Sequence, residues 1–176
     1  PLRILIMAKH RIAIIGLGMA VAPHAKSFAD LKARVEVVAG FSPTEARRKS
    51  FADKYKFPVS GDLDAIWADK SIDCVAILTP PNSHRDLVLA AAKAGKHVLL
   101  EKPLEISTAR AEEMVKACRD ARLVFGVVLQ HRFRAPGVKL REIQKSGDLG
   151  RIVGCSTIVP NWRPQTYYDQ PGRGTK

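Results

Sequence analysis

The run Ile12-Ala13-Ile14-Ile15 leads straight into Gly16-Leu17-Gly18, and the residues that follow, Ala20 to Leu31, suit a helix. That order constrains the fold strongly. A short apolar run stopped by glycine reads as a buried parallel strand, and the glycines supply a tight turn into a helix whose N-terminus faces outward. Gly16 makes the turn. Gly18, with Met19 beside it, lets a pyrophosphate approach the backbone, and the positive end of the helix dipole holds the phosphates. The same order also serves an ordinary strand–turn–helix connection. Val21 falls on the third small position of such a fingerprint, where Gly or Ala is usual, and this predicts looser packing of helix on strand.

The pattern then repeats along the chain. Val35–Phe41 reads as a second strand ending at Ser42-Pro43-Thr44, with a helix over Glu45–Tyr55. Val59-Ser60 gives a short third strand, and Asp62 caps a brief helix through Trp67. Cys74–Leu78 is the next apolar run, stopped by Thr79-Pro80-Pro81-Asn82. Ser83 and Asp86 have capping-box spacing before an alanine-rich helix that ends at Gly95. His97–Leu100 is a strand closed by Glu101-Lys102-Pro103, Ser107 or Thr108 caps a helix through Ala121, and Leu123–Leu129 is the last apolar strand. Strands apolar on both faces, alternating with helices, predict an α/β fold, a doubly wound parallel sheet of Rossmann type in the order 3-2-1-4-5-6.

After Leu129 the pattern changes. A helix to about Lys145, a stop at Ser146-Gly147 and an alternating strand over Arg151–Val159 precede a polar tail. One helix and one strand enclose no core. Residues 1–129 are therefore expected to form a dinucleotide-binding domain, and residues 130–176 the incomplete start of a second α/β domain. Met7 reads as a native start, with residues 1–6 an upstream extension.

The 29 Lys and Arg against 17 Asp and Glu give a formal charge of +12. Such an excess invites a nucleic-acid reading. The basic residues are dispersed, however, with Arg47-Arg48-Lys49 the only run of three and few aromatics beside them, so no nucleic-acid partner is expected. An anionic cofactor, or an acidic remainder of the protein, accounts for the charge equally well. No apolar run has the length of a membrane span. Cys74, Cys118 and Cys155 are scattered with no metal-ligand spacing, which predicts buried thiols in a reducing, cytoplasmic setting and no metal site.

Two loops fall where strands four and five end, facing the same crevice as the glycine turn. In Thr79-Pro80-Pro81-Asn82-Ser83-His84, the Thr79 hydroxyl and Asn82 can bond a ribose or a ring amide; a Pro-rich turn with a helix cap reads equally from these residues. Lys102 is either a solvated charge or a group aimed into the crevice, where partial burial would tune it toward proton chemistry. Strand two ends in Phe41-Ser42, where a site for NAD usually places Asp or Glu. Ser42 and Arg47 or Arg48 suit a 2′-phosphate instead, so the expected cofactor is NADP or NAD, with a lean toward NADP.

Gly16-Leu17-Gly18 with His24, Thr79–His84, the stretch Ala94-Gly95-Lys96-His97 through Glu101-Lys102-Pro103-Leu104, and His131-Arg132-Phe133-Arg134 together resemble the Gfo/Idh/MocA oxidoreductase family. The resemblance runs from residue 10 to about 170. It implies NAD(P)-dependent hydride transfer on a sugar, cyclitol or related alcohol or carbonyl, and a second domain that carries substrate residues and subunit contacts, so a homo-oligomer is expected. It also implies that Gly16 and Gly18 meet the pyrophosphate and that Asn82 and His84 line the cofactor side. Glu101 would lie near the nicotinamide ribose, with Lys102 reaching ribose and substrate hydroxyl. The Lys102–Pro103 bond is often cis in relatives, Arg132 would brace the domain junction, and Trp162-Arg163 resemble a loop that approaches the nicotinamide. The family's later Asp-x-x-x-His element does not occur in these residues. His10, His97 and His24 read as strand-entry and helix-packing residues. Two other readings are a non-catalytic dinucleotide-binding regulator on the same fold, against which Glu101-Lys102 speaks, and a frame that folds without function.

Overall fold

In the computed structural model, which describes residues 9–169, each apolar run of the first three-quarters of the chain has become a strand of one sheet. The strands are β1 (His10–Ile15), β2 (Val35–Phe41), β3 (Val59–Ser60), β4 (Cys74–Ile77), β5 (His97–Glu101) and β6 (Phe125–Val128). They lie in the order β3-β2-β1-β4-β5-β6, and every pairing is parallel. The expected Rossmann-type topology is therefore observed. Chain direction reverses its sideways progress between β1 and β4, which opens a crevice at the carboxyl ends of those strands. The start expected at Met7 lies outside the described residues.

Alternation along each strand divides the core in two. Ile12 and Ile14 of β1 face α1 (Val21–Asp30) and α2 (Glu45–Tyr55), joining Val21, Ala25, Phe28 and Phe51. Ala13 and Ile15 face the other way, toward α3 (Leu63–Ala68), α4 (His84–Lys93) and α5 (Thr108–Asp120), with Val88, Met114 and Cys118. Val21 is buried in the first of these layers. Its bulk is accommodated there in one cluster with the small side chains of Ala25 and Ala76.

Most helix ends follow the sequence. Asp62 Oδ1 accepts the Ala65 N–H at 3.0 Å, Ser107 caps α5, and Gly95 ends α4 with φ of +74°. The capping box at Ser83 does not form. A 3₁₀ turn, Pro81–Ser83, leads directly into α4, and the Ser83 hydroxyl turns back to Thr79 Oγ1 (2.7 Å) and the Pro80 carbonyl (2.8 Å). The Arg85 N–H is met instead by Glu105 Oε2 at 3.0 Å, a carboxylate from the loop after β5.

Lys96 is the largest fully buried side chain. Its ammonium donates to the carbonyl of Asp69 and, at 3.0 Å, to that of Ile72, so it ties the end of α3 to the approach of β4. Burial, with the charge of Lys70, lowers its pKa, against the pull of Asp69 and Asp73. Lys96→Met is expected to lower stability by roughly 1.5–3 kcal/mol, the worth of a hydrogen bond to a charged group. Urea denaturation followed by circular dichroism reads this directly, and an unchanged midpoint would refute it.

The chain divides after Val128, and the unit from Leu129 onward holds a 3₁₀ turn (Gln130–Phe133), α6 (Ala135–Ser146) and α7 (Gln165–Tyr168). α6 stops at Gly147, whose φ is +83°. The strand expected over Arg151–Val159 is absent; the segment is exposed and irregular. An alternating sequence becomes a strand only against a neighbour, and none pairs with it among the described residues. Cys155, in that segment, is exposed and not buried as expected. Cys118 is buried and Cys74 half-buried, and burial pushes the Cys74 thiol up to about 11.

Candidate active site

The glycine turn is built by close approach. Gly16 has φ of +100°, and a Cβ there would stand 2.9 Å from both the Leu78 carbonyl carbon and the Thr79 methyl. Gly18 is different: a Cβ on it would meet nothing within 4 Å. The turn is thus packed at its first glycine and open at its second. α1 begins here with no side chain capping it and no acidic residue in its first turn. The helix dipole favours an anion at that end, which fits a pyrophosphate.

The loop after β5 is held from several sides. His84 is completely buried; its Nε2 faces the Thr79 carbonyl at 2.9 Å and its Nδ1 the carbonyls of Pro103 (3.1 Å) and Leu104 (3.3 Å). This corrects its expected place on the cofactor side. The ring points inward because three carbonyls surround it, and it clamps the two crevice loops together. The Glu105 side chain is fully buried and accepts from the backbone N–H groups of Ile106 (2.8 Å) and Arg85, beside the guanidinium of Arg110 at 3.3 Å. Burial works to raise its pKa, but the Ile106 N–H, the Arg110 guanidinium and the Arg85 N–H together hold it below the usual carboxylate value.

At the tip of this anchored loop Lys102 is exposed. Of the two readings of this lysine, partial burial is not observed, since the clamping residues occupy the loop's inner side. The Lys102–Pro103 bond is cis. Glu101 Oε2 accepts the Lys102 N–H at 2.9 Å, and Glu101 Oε1 meets Nε2 of His24 at 2.8 Å. His24 is therefore more than a helix-packing residue. Asn82 is exposed at the end of β4, its carbonyl 3.4 Å from Arg110. The Thr79 hydroxyl accepts from Ser83.

On the opposite flank, a cleft of about 440 Å³ lies between the glycine turn and α2, lined by Gly18, Met19, Arg47, Ser50, Lys54 and Tyr55 among others. Arg47 is exposed there. Ser42 is only 2% exposed, its hydroxyl accepting from the Thr44 N–H and its carbonyl from Arg48 at 2.6 Å. Its expected role as an open phosphate acceptor is corrected: the hydroxyl is buried in the turn into α2, and Arg48 is spent on the backbone. A larger cleft, about 740 Å³, follows the outer face of α5 and includes neither the glycine turn nor Lys102.

Trp162 is exposed, and Arg163 bonds Asn161 Oδ1 at 2.6 Å and stacks over Tyr167, all within the second unit. Arg132 lies in that unit's 3₁₀ turn. Sequence reasoning missed Glu105 and the pairing of His24. The repeat of Glu four residues after Glu101 was the available signal for the former; nothing local signals the latter. Among the described residues no three His, Cys, Asp or Glu are grouped to hold a metal, and no helix is long and apolar enough to cross a membrane.

Residues 10–129 match the model of the Gfo/Idh/MocA oxidoreductase family, NAD-binding Rossmann fold. The chain is 37% identical over 100 residues to a 2,7-anhydro-N-acetylneuraminate hydratase of Escherichia coli, covering 57% of this chain and 27% of that one. It is 30% identical over 165 residues to an inositol 2-dehydrogenase of Rhizobium meliloti, covering 92% and 49%. Among solved structures, the WlbA dehydrogenase of Chromobacterium violaceum, in complex with NADH and UDP-GlcNAcA, superposes with a TM-score of 0.83 at 27% identity, over 95% of this chain and 49% of that one. The chain thus spans between 27% and about half of the length of the curated relatives it matches.

Proposed function

Because the chain belongs to the Gfo/Idh/MocA oxidoreductase family, we propose that it binds NADP or NAD in the crevice above β1 and β4 and serves a dehydrogenase or reductase. Its substrate is a small sugar, cyclitol or related alcohol or carbonyl. The observation that carries this reading is the exposed ammonium of Lys102, on a loop clamped by His84 and Glu105, at the same sheet edge as the uncapped end of α1. The nicotinamide, when bound, supplies the hydride acceptor or donor. The protein's own groups do the rest: Gly16, Gly18 and Met19 with the first turn of α1 hold the pyrophosphate, Thr79 and Asn82 border the crevice, Glu101 bonds a ribose hydroxyl, and Lys102 handles the proton of the substrate oxygen. Residues 130–176 belong to the substrate and subunit-contact part, and the protein works as a homo-oligomer in the cytoplasm.

Arg47, beside Lys54 on the exposed face of α2, favours a 2′-phosphate, and strand β2 ends without a carboxylate. NADPH is therefore expected to bind about tenfold or more tightly than NADH at matched salt, the worth of one charge-assisted contact. Calorimetry with both cofactors tests this, and equal dissociation constants would overturn the preference. Turnover is tested by a screen of polyols, sugars and inositols with each cofactor. The name of the Escherichia coli relative makes loss of water a second readout in that screen. Tight binding without any turnover would favour the regulator.

A further inference from the structure

His24 and Glu101 are 77 residues apart in sequence, yet Nε2 and Oε1 lie 2.8 Å apart. Their side chains are only 11% and 15% exposed. His24 sits in the first turn of α1, the helix that opens the glycine turn, and its ring is backed by the buried Phe28 at 6.5 Å. Glu101 is the last residue of β5, and its other oxygen holds the Lys102 N–H. Both carboxylate oxygens are thereby engaged, one by each side of the crevice.

The sheet order says what this bridge spans. A dinucleotide whose phosphates rest at the β1 turn extends its adenosine half over β2, toward Arg47, and its nicotinamide half the other way, over β4 and β5. Strand β5 is two places from β1, about 10 Å at ordinary strand spacing. Glu101 therefore stands under the nicotinamide half alone. We propose that His24 is a positioning residue for that half of the cofactor: by gripping Oε1 it fixes the rotamer of Glu101, and through Glu101 the backbone from which Lys102 projects. A part-buried polar pair adds little stability over apolar side chains of the same shape, so a structural staple alone gives no reason for these two residue types. Orientation of a carboxylate at a ligand does.

The inference rests on the dinucleotide reading, and the experiment separates the two. The full chain is titrated with NADH and NADPH by nicotinamide fluorescence and with ADP by calorimetry. His24→Phe keeps the ring's bulk and removes the donor. It is expected to weaken both dinucleotides about tenfold, the lower end for a charged hydrogen bond, and to leave ADP affinity unchanged. His24→Gln, whose amide can donate to the same oxygen, is expected to recover most of the loss. Glu101→Ala reaches the pair from the strand side and keeps the test open if the phenylalanine variant does not fold; the same nicotinamide-selective loss is expected. Unchanged dinucleotide affinity, a parallel loss of ADP, or no recovery by glutamine would overturn the positioning role while the dinucleotide site stands. If the unaltered chain binds neither dinucleotide, the site reading falls and this inference falls with it.

Discussion

Lys102→Met is expected to lower turnover about 10²–10⁴-fold in any preparation of this protein that oxidises a polyol, the usual range for an acid–base group. The alcohol can give up hydride from carbon only as its hydroxyl proton leaves, so a positioned group must stabilise the oxygen as negative charge develops. An ammonium favours an alkoxide more than it favours the neutral alcohol, and that difference is what speeds the step. Folding is not at issue, because Lys102 is exposed and its loop is anchored through His84 and Glu105. Cofactor affinity should change little by comparison. Near-normal kcat in the methionine variant would remove Lys102 from the chemistry.

The two glycines of the turn are expected to fail in opposite ways. Gly16→Ala puts a side chain at φ of +100° and drives its Cβ to 2.9 Å from the backbone of Leu78. Backbone strain and overpacking cost roughly 1–3 kcal/mol each, so a loss of about 3 kcal/mol is expected in urea unfolding. Gly18→Val meets open space, so its unfolding midpoint should move little. Its branched side chain stands where the pyrophosphate must lie, and cofactor affinity should fall at least about tenfold, or roughly 1.4 kcal/mol. A stable Gly16→Ala chain would refute the close-packed turn. Unimpaired binding by Gly18→Val would refute the phosphate assignment.

Strand order and the layout of the crevice were legible because they follow from local signals: apolar runs of strand length, glycine and proline at their carboxyl ends, and the spacing between them. Gly18 was placed in the turn on the same grounds. The roles given to Glu101 and Lys102 rest instead on the family resemblance of their loop, since its local signals left a solvated lysine open. Most of the errors came where a residue's fate depended on a distant partner. Ser83 has capping spacing, but Glu105, 20 residues beyond the Arg85 N–H, took its place. His84 was placed on the cofactor side by the family resemblance, while the carbonyls of Pro103 and Leu104 draw it inward. Ser42 has the right position for a phosphate and the wrong exposure, because the turn into α2 buries it. The segment 151–159 has strand alternation and no strand beside it.

Lys96 and Lys102 stand six residues apart at opposite ends of β5, one under the sheet's amino-terminal edge and the other above its carboxyl edge. If Lys102 handles the substrate proton as proposed, the two lysines are kept for different reasons. A lineage that gave up catalysis and kept the scaffold for sensing would still need Lys96 to hold the carbonyls of Asp69 and Ile72, but nothing would maintain an exposed ammonium at Lys102. The first lysine is then a marker of the architecture and the second a gauge of whether chemistry persists. A natural variant with Lys96 intact and Lys102 replaced should fold, bind dinucleotide and leave its substrate untouched.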